Sequence, residues 1–126
     1  MQLASWPCPA GGEELALSFD RGRRHRLLVL PALFDEASKL RHFTIATMRL
    51  LDAAGIDSLL PDLAGTNESR APLECQTIAD WRDQAAAAAI HFRATHLLSL
   101  RAGALLDPGH LPGWRCAAAS GPAILR

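Results

Sequence analysis

The residues Ser99-Leu100-Arg101-Ala102-Gly103 carry the most specific chemical signal in this sequence. An apolar run, His96-Leu97-Leu98-Ser99-Leu100, leads directly into Arg101-Ala102-Gly103-Ala104-Leu105-Leu106, which holds about a turn and a half of helix at 3.6 residues per turn. A strand turning straight into a helix is the layout of a nucleophile elbow, G-x-S-x-G, where glycines flank the nucleophile because the turn is strained and tightly packed. Here Arg101 stands at the centre, Ser99 takes the first glycine position, and Gly103 alone keeps the pattern. A guanidinium stays protonated and cannot attack a carbonyl. What it can do is hold a carboxylate or phosphate through two parallel hydrogen bonds, helped by amides at a helix start. The competing role for Arg101 is a structural ion pair, with Asp62 or Asp35 as partner. Ser99, one residue short of the turn, is expected to face the sheet rather than a cleft.

Hydrolysis through a serine, a histidine and an acid needs the acid and the histidine in place around the nucleophile. After Arg101 the chain offers only Asp107 and His110, three residues apart on a Pro-Gly turn. No catalytic residue is therefore assigned. The five histidines, His25, His42, His91, His96 and His110, lack the spacing of a metal site, and Cys8, Cys75 and Cys116 form no C-x-x-C pair. Neither a metal nor a cofactor is expected. Arg21, Arg23, Arg24, His25 and Arg26 read as a solvated basic turn, and Trp81 and Trp114 as packing residues.

The elements that must position Arg101 follow from periodicity. Residues 1–12, with two prolines and two glycines, read as an irregular lead-in. Residues 14–19 alternate like a strand, and 26–31 form a continuous apolar run suited to a strand buried on both faces. The two are expected to pair as a hairpin. Apolar positions at Leu40, Phe43, Ala46, Thr47, Leu50, Leu51 and Ala54 predict an amphipathic helix over about 36–54, stopped by Gly55. A strand at 56–61, a helix from a Thr77 cap to about Arg93, and strands at 95–100 and 114–119 complete the set. The fold class expected is α/β: a mostly parallel sheet of about five strands with an N-terminal antiparallel hairpin and helices on both faces. Ligands of such sheets bind beyond the carboxyl ends of the strands. That rule selects the loops at 32–38, 62–72 and 99–103. The candidate binding residues are Arg101, Ala102, Leu33, Phe34, Asp62, Glu68 and Ser69.

Three segments together resemble one family. Leu28-Val29-Leu30-Pro31-Ala32-Leu33-Phe34-Asp35-Glu36-Ala37-Ser38-Lys39 resembles a strand and oxyanion loop of α/β hydrolases. Residues 57–69, Asp-Ser-Leu-Leu-Pro-Asp-Leu-Ala-Gly-Thr-Asn-Glu-Ser, resemble their next strand and its D-L-P-G-x-G-x-S loop. Residues 99–106 are similar to a G-L-R-x-G-A-L-L elbow in the exosortase A system-associated hydrolases, found with genes for extracellular polysaccharide production. The resemblance covers residues 26–106, about two-thirds of the chain, and implies the N-terminal half of that fold. The expectation is one truncated domain over residues 1–126, with a binding or accessory role in place of catalysis. Two alternatives stay open: a serine hydrolase completed by missing residues or a partner chain, and a small flavodoxin-like module for anions or other ligands.

The bulk numbers narrow the partners. The chain has 126 residues, 13 basic and 13 acidic, with 49% hydrophobic residues. A net charge of zero argues against an electrostatic nucleic-acid binder. No apolar stretch reaches the roughly 20 residues of a membrane span, and no leader pattern is visible at the N-terminus. A cytoplasmic protein is expected, with a small anionic or acyl ligand and neither nucleic acid nor membrane as partner. The apolar strand at 114–119 would leave an open sheet edge, which suits a homodimer or a missing C-terminal region.

Overall fold

Each central strand feeds two cores, and that double duty organises the molecule. Residues 1–10, 12–33, 35–66 and 76–116 are described by a computed structural model. Leu28, Leu30, Leu59 and Leu97 point to one side of the sheet, Val29, Leu60 and Leu100 to the other, and all are buried. Such continuous apolar runs are what a parallel strand covered on both faces requires. The elements in chain order are β1 (Gln2–Pro7), β2 (Glu13–Phe19), β3 (Arg26–Leu30), α1 (Asp35–Lys39), α2 (Arg41–Ala53), β4 (Asp57–Pro61), α3 (Ile78–His91), β5 (His96–Leu100), a 3-10 helix (Arg101–Leu106) and β6 (Gly113–Cys116). They build a six-stranded sheet in the order β1-β2-β4-β3-β5-β6. β4, β3, β5 and β6 run parallel, and β1 and β2 are antiparallel. Trp81, Ala85, Ala88 and Ala89 of α3 cover one face, and Met48 of α2 covers the other. The mostly parallel α/β sheet expected from the sequence is the observed fold.

Four expectations need correction. Residues 2–7 are a strand, because Ala4 and Trp6 alternate with Leu3 and Ser5 and the prolines fall at the end of an edge strand, where no ladder bond is lost. The hairpin joins β1 to β2, whereas 14–19 and 26–30 do not pair with each other. β3 is apolar on both faces and takes the centre between β4 and β5, so β2 pairs with β4 instead. The helix predicted over 36–54 is broken at Leu40, whose backbone leaves helical geometry at φ −98°, ψ 3°. Its buried face is also turned from the expected one: Thr44 and Met48 face the sheet, while Phe43 is 50% and Leu50 72% exposed. Thr44 tolerates burial because its hydroxyl donates to the Leu40 carbonyl at 2.8 Å. Trp114 is exposed and stacks on the His96 ring rather than packing in the core.

Other local signals held. Gly55 follows α2 at φ 86°, and Thr77 caps α3 in a reciprocal box with Asp80. Asp80 N–H donates to the Thr77 hydroxyl (3.0 Å), and Thr77 N–H donates to the Asp80 carboxylate (3.1 Å). Among the described residues, no helix is long and apolar enough to cross a membrane. Cys8 is buried, and burial pushes its thiol pKa up; Cys116 is exposed. Cys75 lies outside the described residues.

The basic turn is structural rather than simply solvated. Asp57, fully buried at the start of β4, accepts from Arg21 N–H (3.2 Å), Arg23 N–H (2.8 Å) and Arg26 Nη1 (2.6 Å). Arg26 Nη1 also reaches Asp20, and its Nε donates to the Phe92 carbonyl at the end of α3 (2.9 Å). One guanidinium thus ties β3, β4, α3 and the turn together. Removing one member of a buried pair strands the other, at a cost of about 3–5 kcal/mol. Asp57→Ala is therefore expected to lose stability on that scale in urea unfolding; a loss near zero would contradict the network. The hydrogen bond from Arg26, with a lesser one from Gly22 N–H, holds the Asp20 pKa at about 2. A carboxylate with a depressed folded pKa stabilises above its unfolded value of about 4, and this stabilisation is lost as pH falls towards 2. Because the Asp20 side chain is 40% exposed, the effect is screened to below about 1 kcal/mol. Asp20→Asn should flatten that acid limb of urea stability; an unchanged limb would assign it to other carboxylates.

Candidate functional site

Arg101 sits where the sheet changes direction. The connection after β3 passes through α1 and α2 on one face, while the 3-10 helix after β5 packs against α3 on the other. β3 and β5 are neighbours, with Leu30 opposite Ser99. A crevice between the carboxyl ends of two such strands is where α/β sheets place ligands. Leu33 follows β3 there, and Arg101 and Ala102 follow β5.

The turn itself has the geometry of an elbow. Arg101 takes φ 50°, in the left-handed region, which costs a side chain other than glycine about 1–2 kcal/mol. The 3-10 helix begins immediately, and at Gly103 it lies directly against the end of β3. A Cβ added at Gly103 would stand 2.5 Å from the carbonyl oxygens of both Leu30 and Pro31. This close approach explains the one glycine retained from the elbow pattern. Ala102, Leu33 and Leu106 are buried in the same cluster as Leu30, and Arg101 is half-buried.

Ser99 is buried, and its hydroxyl donates to the Trp114 carbonyl at 3.4 Å. It is a sheet residue, as expected. Asp107 accepts from Gly109 N–H (2.7 Å) and pairs with Arg115 (3.5 Å), so it closes the turn before β6, while His110 is exposed. Asp107 and His110 therefore show no mutual contact of the kind a catalytic pair makes. Among the described residues no group of histidine, cysteine and acid side chains could hold a metal.

The loop after β4 is fixed by residues that sequence patterns did not single out for it. Trp6 Nε1 donates to the Asp62 carbonyl (3.2 Å), and Trp81 Nε1 donates to the Ala64 carbonyl (2.8 Å). Gln84 Oε1 accepts from Ala64 N–H (2.8 Å), and the Thr66 hydroxyl accepts from Leu63 N–H (3.0 Å). Gln84 carries the one signal available beforehand, as an amide interrupting the apolar face of an alanine-rich helix. The Asp62 side chain is largely buried at the end of β4, on the far side of β3 from Arg101. Ala102 and Leu33 thus share one buried cluster, Arg101 precedes them half-buried at the turn, and Asp62 lies beyond β3. Phe34, Glu68 and Ser69 lie outside the described residues.

Two substitutions test this framework. Gly103→Ala must displace two backbone carbonyls and is expected to cost about 1–3 kcal/mol, as overpacking does. Gln84→Ala leaves the buried Ala64 amide without its acceptor, at about 1–3 kcal/mol. Thermal or urea midpoints equal to the wild type would refute the respective contact.

No protein-family model and no curated protein matches the sequence. Solved structures do match its fold. A protein of Agrobacterium vitis S4 described as a hydrolase aligns with a TM-score of 0.67 and 15% identity, over 90% of this chain and 49% of its own. Mouse alpha/beta hydrolase domain-containing protein 10 gives 0.64 and 12%, over 79% and 39% of the two chains. An alpha/beta hydrolase from Novosphingobium aromaticivorans DSM 12444 gives 0.60 and 15%, over 87% and 41%. The fold is α/β-hydrolase-like, and the chain spans about half or less of the length of these structures.

Proposed function

We propose that this chain is a noncatalytic binding domain on an α/β-hydrolase-like frame, taking a small acyl carboxylate at Arg101. The observation that carries this reading is the residue at the apex of the turn. The left-handed backbone and the Gly103 contact keep an elbow, yet the side chain it presents is a guanidinium. That group supplies no nucleophile, but it matches a carboxylate in charge and in paired hydrogen bonds. The likeness of residues 99–106 to exosortase A system-associated hydrolases supports an accessory role beside extracellular polysaccharide machinery.

A second reading has one observation in its favour: the matching hydrolase structures are about twice as long. In it, the same frame belongs to a hydrolase completed by further chain or by a partner. A fluorophosphonate probe and short-chain p-nitrophenyl esters separate the two. The binding domain shows no serine labelling and no ester turnover above the uncatalysed rate, whereas stoichiometric labelling of a serine would overturn it. Butyrate should raise the melting temperature of the wild type at constant ionic strength and leave that of Arg101→Ala unchanged. An equal shift in both proteins would remove Arg101 from the site.

A further inference from the structure

At the other end of the sheet, a cavity of about 560 Å³ opens between β1, the turn before β3 and the end of α3. Ser5, Arg23, Arg26, His91 and Arg93 line it, with Asp20 as the acid among its described lining residues. Most of the charge here is already matched. Arg21, Arg23 and Arg26 pair with Asp20, Asp52 and Asp57, three cations against three carboxylates. Arg93 is additional: it is exposed and has no carboxylate partner among the described residues. Arg26 Nη2 and the ring nitrogens of His91 likewise make no hydrogen bond among them.

Arg93 also holds an unusual backbone. It closes α3 at φ 55°, with its N–H on the Ile90 carbonyl at 3.2 Å. Glycine is the usual residue at this position, and any other pays for the left-handed conformation. The fixed turn sets the guanidinium at the cavity wall.

We infer that this cavity binds the phosphate group of a small phosphomonoester. Donor side chains line it from three separate elements: Ser5 from β1, Arg26 from β3, and Arg93 with His91 from the end of α3. A tetrahedral phosphate presents oxygens in several directions and can use donors so distributed, whereas a planar carboxylate presents two. Arginine is the side chain best matched to phosphate geometry. The cavity is much larger than a phosphate ion and falls in the range of small-molecule sites, so it leaves room for the attached organic group. The site is separate from Arg101, since it lies at the amino ends of the parallel strands.

The test is titration calorimetry of glucose 6-phosphate into the wild type, Arg93→Gly and Arg101→Ala at constant ionic strength, with inorganic phosphate as competitor. Glycine suits φ 55°, so Arg93→Gly removes the guanidinium without endangering the fold; a thermal melt of each free protein verifies this. The expected result is saturable binding to the wild type, displaced by inorganic phosphate, weakened at least tenfold in Arg93→Gly and unchanged in Arg101→Ala. Absence of binding, equal binding to Arg93→Gly, or loss in Arg101→Ala would overturn the assignment. Cosedimentation with phosphatidic acid vesicles without binding of glucose 6-phosphate would also overturn it, in favour of a membrane headgroup.

Discussion

The contact of Gly103 with the carbonyls of Leu30 and Pro31 is the constraint on which the rest of the site depends. Backbone meets backbone there, with no room for a side chain. The approach presses the 3-10 helix onto the end of β3, which holds Arg101 in a left-handed turn and buries Ala102 beside Leu33. Strain of this kind persists only where the surroundings over-determine it. Here they do so from two sides: β5 is in register with β3, and Arg82 on α3 donates to the Leu105 carbonyl (3.0 Å) at the far end of the 3-10 helix. The backbone turns as an elbow does, and its apex carries a cation.

The sheet is fixed at its two ends by different chemistry. At the carboxyl ends, indole and amide side chains tie the loop after β4, through Trp6, Trp81 and Gln84. At the amino ends, the buried Asp57 carboxylate gathers two arginines and two turn amides. The ionic network draws charge inward at this end, which leaves Arg93 as the extra cation on its cavity. The two ends of one sheet thus differ in chemical character.

Much of this is legible in the sequence. Apolar runs at 26–31 and 95–100 mark central strands, because burial on both faces removes alternation. The Thr77 box and Gly55 marked helix ends, because capping is local chemistry. Gly103 and Arg101 were singled out by a strand–turn–helix pattern that the backbone bears out. What was hidden depends on tertiary partners. Strand 2–7 was obscured by prolines that an edge position makes harmless. The pairing of β2 with β4 is non-local, so a short polar turn between residues 19 and 26 looked like a hairpin. The buried face of α2 includes a threonine whose hydroxyl is satisfied within its own helix, and hydrophobic periodicity assigns no core role to such a residue. The basic turn looked solvated because its counter-charges, Asp52 and Asp57, lie about thirty residues away in sequence.

The central claim is that the elbow presents Arg101 to a carboxylate rather than a nucleophile to a carbonyl. The most direct measurement is the ¹⁵Nε–¹Hε NMR resonance of Arg101, assigned by its loss in Arg101→Lys, during a titration with butyrate at constant ionic strength. The account predicts a saturable shift of that resonance, with the Arg93 resonance unmoved. An Arg101 resonance that stays in place at saturating butyrate, or moves only in parallel with every other arginine, would contradict it.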